Sequence, residues 1–154
     1  FIGAALALKQ NYTEAIFLLS QLEVQEGNIA AAIQSVEAAT VLAPNDPVLR
    51  FQLGLLKYNE KDFRGAAGAF ERAVAQNQNY ANARYFLGLA YERLGRDADA
   101  VTQFEWLVKT NPDNKEVALI LKNLKAGRAP FANAAPPVDA LPEKRATLPV
   151  EEER

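Results

Sequence analysis

Several residue types that commonly carry chemistry are missing from this chain. Its 154 residues include no cysteine, no histidine and no methionine, and only one tryptophan. Without cysteine the chain can form neither disulfides nor thiolate metal sites. Without histidine it lacks the commonest general base and the commonest zinc ligand. We therefore expect no metal site and no cofactor. No run of apolar residues is long enough to cross a bilayer, so we expect no membrane insertion by this segment.

The chain also carries little net charge, −2 at pH 7. A charge this small predicts neither nucleic acid nor an anionic membrane as a partner. Two pairs of neighbouring carboxylates, Glu60 with Asp62 and Asp97 with Asp99, fall in or beside predicted turns, where solvated acidic residues are ordinary. No glycine-rich phosphate loop follows a strand, and no strand pattern is present. These observations predict that the protein is not an enzyme.

The sequence contains one pattern written twice. Residues Leu53–Ala73 (LGLLKYNEKDFRGAAGAFERA) and Leu87–Leu107 (LGLAYERLGRDADAVTQFEWL) align at a constant offset of 34 residues. The offset pairs small residues and aromatic residues: Gly54 with Gly88, Ala66 with Ala100, and Phe70 with Phe104. A fixed period of this size is the signature of a stacked helical repeat. Antiparallel helices approach closely only where side chains are small, and the aromatic residues would fill the space one turn away.

Helix signals and turn residues divide the chain into units. Asp46-Pro47 is typical of a helix start, because Asp suits the cap and Pro suits the first helical position. The segment Gln10-Asn11-Tyr12 predicts a break, with Asn11 capping the next helix. The predicted domain at 1–127 consists of a partial helix at 1–10, three repeats at 13–46, 47–80 and 81–114, and a capping helix at 115–127. A tail at 128–154 follows.

The tail has its own composition. It holds five of the eight prolines, together with alanine and glutamate. We predict from this composition that it is extended or disordered. On a helical wheel Trp106 lies opposite Phe104 and Leu107, so a bare repeat would expose it. A second hypothesis is therefore that the segment from Pro130 onward folds back over the outer surface of the last helices.

These units resemble the tetratricopeptide repeat. The family's Leu-Gly pair appears as Leu53-Gly54 and Leu87-Gly88, and its closing proline as Pro44 and Pro112. Its small residue early in the second helix is Ala32, Ala66 and Ala100. Its large apolar residue one turn later is Val36, Phe70 and Phe104. The resemblance implies an all-α fold, a right-handed α-solenoid of stacked antiparallel helix pairs with three repeats and a C-terminal capping helix. The family's usual tryptophan is replaced by Ile16, Arg50 and Arg84, and we expect the two arginines to form surface ion pairs.

In this family the first helices of successive repeats line a concave groove that binds a peptide or a partner helix. Helix spacing predicts six residues on that face: Phe17, Phe51, Leu55, Tyr58, Tyr85 and Leu89. The alternative, that the rings pack within their own repeats, stays open. The family's carboxylate clamp uses Lys, Asn and Arg. Its basic residues are missing here, where the candidate positions hold Phe17, Gln21, Gln52, Asn82 and Phe86. We therefore do not expect binding of a chaperone's acidic C-terminus.

The resemblance implies a protein–protein interaction scaffold that binds an apolar or amphipathic peptide or helix in the concave groove. The partner would be a protein or peptide. The alternative is a structural spacer or a homo-oligomerisation module of a larger parent, with a membrane-bound protein as one option, so self-association is also open. Because the chain begins at Phe1 and lacks methionine, we expect it to be a piece of a longer protein.

Overall fold

The computed structural model describes residues 2–134, 141–145 and 147–152, and these residues form helices but no strand. The α-helices follow one another as α1 (Ile2–Gln25), α2 (Ile29–Leu42), α3 (Pro47–Asn59), α4 (Phe63–Gln76), α5 (Ala81–Arg93), α6 (Asp97–Thr110) and α7 (Lys115–Lys125). One 3₁₀ turn, Pro142–Lys144, lies in the tail. The predicted all-α fold is confirmed. Phe1 of the predicted partial helix, and tail positions 135–140, 146, 153 and 154, lie outside the described residues.

Each helix packs against the next one along the chain, so α1–α2, α3–α4 and α5–α6 form successive pairs and α7 closes the last pair. The glycines of the repeated pattern permit the close approach within a pair. A Cβ atom added to Gly88 would lie 2.5 Å from Cε2 of the Phe104 ring, and Gly54 meets the Phe70 ring in the same way. The aromatic ring of the second helix thus occupies the space that a side chain on the first helix would need.

The core is continuous from α3 to α7 and is rich in aromatic rings. Neighbouring rings have centroids 5.2 to 6.0 Å apart in the series Phe51, Phe70, Phe86, Tyr85 and Phe104. Aromatic pairs at such distances contribute about 0.5–1.5 kcal/mol each beyond their burial. At the other end of the molecule, α1 and α2 contribute few buried side chains. The well-packed part of the chain is therefore the part that carries the clearest repeat.

The predicted break near residues 10–12 is wrong, because α1 runs without interruption from Ile2 to Gln25. Asn11 is an exposed residue inside this helix and caps nothing. The segment contains neither glycine nor proline between Ala4 and Glu26, and Gln, Asn and Tyr each cost at most about 0.7 kcal/mol in a helix interior. Neither α1 nor any other helix in the described part of the chain is long and apolar enough to span a membrane.

Arg84 does not form the ion pair that we expected. Within the described residues its guanidinium lies over Trp106 instead, with Cζ 4.5 Å from the ring centroid. It also donates from Nη1 to Gln103 and from Nε to the carbonyl of Gln78. Trp106 is half-buried and also packs against the core. The hypothesis that the tail covers the outer surface is wrong for residues 141–145 and 147–152, which lie beside α3, α5 and α7.

Candidate functional site

The described part of the tail crosses the first helices of the pairs. Residues 141–145 lie beside α1, α3 and the start of α7, and residues 147–152 lie beside α5 and α7. Asn123 of α7 holds the first residues of the tail, because its Nδ2 donates to the carbonyls of Pro130 at 2.9 Å and Ala132 at 2.7 Å. We call residues 141–145 and 147–152 the tail segment. The surface of α1, α3, α5 and α7 that faces it is called the groove.

Asn82, in the first turn of α5, holds the backbone of the tail segment. Its Nδ2 donates to the Val150 carbonyl at 2.9 Å, and its Oδ1 accepts from the Val150 N–H at 3.1 Å. The Val150 side chain is only 5% exposed and packs into the core. Inside a helix, the N–H and C=O of one residue are both used by the helix itself. This exchange therefore requires a non-helical backbone at Val150.

The carboxylate of Glu152 caps helix α5. The residue before this helix is Tyr80, and it supplies no side-chain hydrogen bond to the helix start. Instead the backbone N–H groups of Ala81 and Asn82 donate to Glu152 at 2.7 and 2.8 Å, and Asn82 Nδ2 adds a third bond at 2.8 Å. A helix N-terminus carries a partial positive charge and exposes unpaired N–H groups, so it favours a carboxylate. Local Asn or Asp residues fill this role in α2, α3, α4 and α7.

Glu116, in the first turn of α7, forms a negative site in the groove. Nη1 of Arg145 donates to its two carboxylate oxygens at 2.8 and 2.9 Å, and the Tyr85 hydroxyl donates to Oε1 at 2.6 Å. The side chains of Arg145 and Glu116 are each 19% exposed, less than those of any other ion pair among the described residues. Charge-assisted hydrogen bonds of this kind are stronger than neutral ones.

Burial and the neighbouring charges set the protonation states of this network. Burial, with the hydrogen bond and the charge of Glu116, raises the pKa of Tyr85, so its hydroxyl stays a donor at neutral pH. Burial by itself lowers the pKa of Arg145. The hydrogen bond and charge of Glu116 outweigh that effect, so the pKa of Arg145 is raised. The guanidinium, the phenol and the carboxylate thus support each other's hydrogen bonds.

The groove remains open beside the 3₁₀ turn of the tail. A cleft of about 490 Å³ lies there between α1, α3 and the tail residues 143–145. On its wall, Nε2 of Gln52 donates to the hydroxyl of Ser20. The other side-chain atom, Oε1 of Gln52, is buried and has no hydrogen-bond partner within the described part of the chain. The tail segment therefore fills only part of the groove.

Four of the six predicted groove residues lie at this site. Phe17 and Leu55 line the open cleft, and Phe17 is 39% exposed. The ring of Tyr85 is fully buried in the core, and only its hydroxyl reaches the groove, where it donates to Glu116. Tyr58 lies near Glu143, whose charge adds to the effect of burial in raising the Tyr58 pKa. The structure thus brings these four residues to the side of the molecule on which the tail segment lies.

The other two predicted residues are core residues of the repeat. Leu89 is 2% exposed, and Phe51 is 5% exposed and packs against the rings of Phe70, Tyr80 and Phe86. Their positions favour the alternative in which a ring packs within its own and the next repeat. The assignment of all six residues to a partner-binding surface stays a prediction.

Sequence reasoning missed the polar residues that hold the tail segment. These are Glu116 and Asn114, whose Nδ2 donates to the Pro149 carbonyl at 3.1 Å. Asn82 stood among the candidate groove positions, but its bonds to the tail were not predicted. One signal was available, because no capping residue stands at Tyr80 where the repeat demands a helix start. The groove also binds the Glu152 carboxylate through N–H groups alone. The lack of basic residues therefore does not exclude an acidic ligand group.

The stacked helix pairs and the groove on their first helices define an α-solenoid with the form of a protein-interaction scaffold. Residues 51–115 match the family model described as tetratricopeptide repeat. This match supports a tetratricopeptide repeat domain over residues 51–115, and that fold is typically a non-enzymatic protein-interaction module. No curated protein matches the chain at a significant level.

Solved structures of repeat proteins superpose on most of the chain. The first TPR domain of Spaghetti (RPAP3), bound to the HSP90 peptide SRMEEVD, has a TM-score of 0.71 at 21% identity, covering 76% of this chain and 93% of that one. MamA has a TM-score of 0.69 at 25% identity, with 81% and 73% covered. The second TPR domain of human RPAP3, in complex with the HSP70 peptide SGPTIEEVD, has a TM-score of 0.69 at 18% identity, with 76% and 98% covered. These likenesses show the fold.

Proposed function

We propose that the protein is a non-enzymatic scaffold whose groove binds an extended segment of a protein partner. The observation that carries this proposal is the contact between Asn82 and the tail segment. The Asn82 side chain bonds to both the N–H and the carbonyl of Val150. The buried Val150 side chain supplies the apolar part of the contact. An extended ligand replaces the helix that the sequence led us to consider, because a helix cannot offer both backbone groups of one residue. Neither nucleic acid nor a membrane is part of the proposal.

The peptides bound by two structural neighbours support an acidic ligand. SRMEEVD and SGPTIEEVD each contain two adjacent glutamates. The tail segment also contains two adjacent glutamates, Glu151 and Glu152, and the second of them caps α5. The likeness concerns ligand chemistry and does not extend to the identity of the partner.

The test uses the tail sequence as a free peptide. In a full-length Val150→Asp variant, the aspartate would have to be buried without a partner, so we expect the tail segment to leave the groove. This released-tail variant should bind a labelled peptide LPEKRATLPVEE, residues 141–152, with a dissociation constant between about 1 and 100 µM. Adding Asn82→Ala should weaken binding about tenfold or more, because two hydrogen bonds to the peptide backbone are lost. Fluorescence anisotropy measures both affinities.

Asn82→Ala is a fair test because every side-chain hydrogen bond that Asn82 makes in the described structure goes to the tail segment. The repeat itself should therefore remain folded, which circular dichroism checks. Arg72→Leu, an exposed change on α4, is the matched control and should leave the affinity unchanged. Absence of peptide binding at millimolar concentration, or equal affinity with and without Asn82, would contradict the proposed function.

A second candidate function, self-association, is favoured by the apolar surface of α1 and α2. Leu18 is 64% exposed and Val41 is 79% exposed, and further exposed apolar side chains on these helices are Leu8, Leu19, Leu22 and Leu42. Exposed apolar patches of this kind often mark association surfaces.

For this second candidate we expect the molar mass of the intact chain to rise with concentration in light scattering. Leu18→Asp should return it to the monomer, because a charge in a self-complementary apolar contact is repeated in both copies. Leu148→Asp, at an exposed leucine of the tail, is the matched control. A monomer at every concentration would remove this candidate.

A further inference from the structure

The groove has two charged ends of opposite sign. One end is Glu116, which pairs with Arg145 in a largely buried contact. The other end is the N-terminus of α5, where three N–H groups surround the carboxylate of Glu152. The tail segment meets a negative site with a cation and a positive site with an anion, seven residues apart along its chain.

Between these ends some residues of the tail segment contact the groove and others are exposed to solvent. Val150 is buried in the core, and the carbonyl before it, that of Pro149, accepts a hydrogen bond from Asn114. Leu148 is 53% exposed and Thr147 is also exposed, so their side chains add little to recognition. The contacted positions thus have a fixed spacing: a basic residue, a branched aliphatic residue five positions later, and an acidic residue two positions after that.

We propose that the groove recognises, in a separate partner protein, an extended segment with this order of charges and this spacing. The inference rests on the proposed function, of which it names the partner chemistry. The tail segment is the chain's own copy of the ligand and occupies the site when the partner is absent. A segment with the charges exchanged would place an anion beside Glu116 and a cation at the start of α5. Both contacts would be repulsive, so the groove fixes the direction of its ligand as well.

The unfilled part of the groove favours a separate partner over the tail alone. The tail segment leaves the cleft beside residues 143–145 open, with Phe17 and Leu55 on its walls. It also leaves Oε1 of Gln52 buried without a hydrogen-bond donor in the described structure. A segment with larger apolar side chains at the positions just before Arg145 would bring them against Phe17 and Leu55 in this cleft. The open cleft thus fits a ligand with bulkier residues at these positions than the tail has.

A charge-exchange experiment tests the inference on the full-length released-tail variant, Val150→Asp. The first probe is the labelled peptide of residues 141–152, and the second is the same peptide with Arg145→Glu. Glu116→Arg in the protein should weaken binding of the first peptide about tenfold or more. The second peptide should bind poorly to the protein with Glu116 and regain affinity for the protein with Glu116→Arg. A peptide with Leu148→Ala is the control and should bind as the first peptide does.

The outcomes separate this inference from the proposed function. Regained affinity in the exchanged pair supports the inference, because a purely structural role of Glu116 would not restore binding of the altered peptide. Tight binding of both peptides to both proteins would overturn the charge order and leave the peptide-binding function standing. Failure of every peptide to bind would overturn both. If the intact chain forms dimers and the free peptide dissociates them, the ligand is the tail of a second copy. The assignment to a separate partner is then wrong.

Discussion

Replacing Gly88 with leucine is expected to cause a large loss of folding stability. The added Cβ would begin 2.5 Å from the Phe104 ring, which is itself fully buried. The ring has no room to move, because it packs against Tyr85 with centroids 5.5 Å apart. Overpacking of a well-ordered core typically costs about 1–3 kcal/mol, and a whole leucine side chain belongs at the upper end of that range. Urea denaturation followed by circular dichroism measures the loss.

The matched control for this substitution is Arg72→Leu. Arg72 is exposed on α4, so the same new side chain should change the free energy of unfolding by less than about 0.5 kcal/mol. A stable Gly88→Leu variant, with a urea midpoint equal to that of the control, would contradict the close approach of α5 and α6.

Releasing the tail segment is expected to raise the affinity for a free peptide about 100-fold. In the intact chain the tail competes with the peptide at an effective concentration on the order of 1 mM, as expected for a short tether. If the groove binds this sequence with a dissociation constant near 10 µM, such a competitor weakens apparent binding by about two orders of magnitude. The Val150→Asp variant removes most of this competition. Anisotropy titrations of the two full-length proteins with the labelled peptide give the ratio directly.

A second observable reports on the same release. The amide protons of Ala81 and Asn82 bond to Glu152 in the intact chain, so their hydrogen exchange should become faster in the Val150→Asp variant. Added peptide should slow it again. The Leu148→Asp variant should behave as the intact chain does in both measurements, because Leu148 is exposed. Equal peptide affinity and equal amide exchange in all three proteins would show that the tail does not occupy the groove in solution.

The missing cap of α5 links the fold to the site. Most helices in the described part of the chain begin with a backbone N–H that donates to a nearby Asn or Asp side chain, such as Asp46 at α3 and Asp62 at α4. At the start of α5 the N–H of Ala81 donates instead to the carboxylate of Glu152, which lies 71 residues further along the chain. A ligand that supplies such a carboxylate stabilises the helix start as it binds. Under the proposed function we therefore expect ligand binding to stabilise the start of α5.

The sequence by itself determined the architecture of the repeats. The period of 34 residues and the Asp46-Pro47 helix start are local or strictly periodic signals, and the structure bears out both. The sequence placed Gly88 against the Ala100 region, but the Phe104 ring is the group that lies against it. It was less informative where signals are weak. Around Asn11 a capping pattern predicted a break, but residues of moderate helix propensity continue α1 without one.

The position of the tail was decided only by the tertiary structure. Its contacts join residues that are far apart in sequence, such as Asn82 to Val150 and Glu116 to Arg145, and no period relates them. Proline-rich composition predicted an extended or disordered chain, because it shows too little apolar pattern to form a core of its own. In the tail segment Pro142 and Val150 are buried, and Arg145 and Glu152 bond to partners that the stacked helices supply. The groove exists only after the helices have stacked, so the sequence predicted the scaffold and only the fold showed where the tail lies on it.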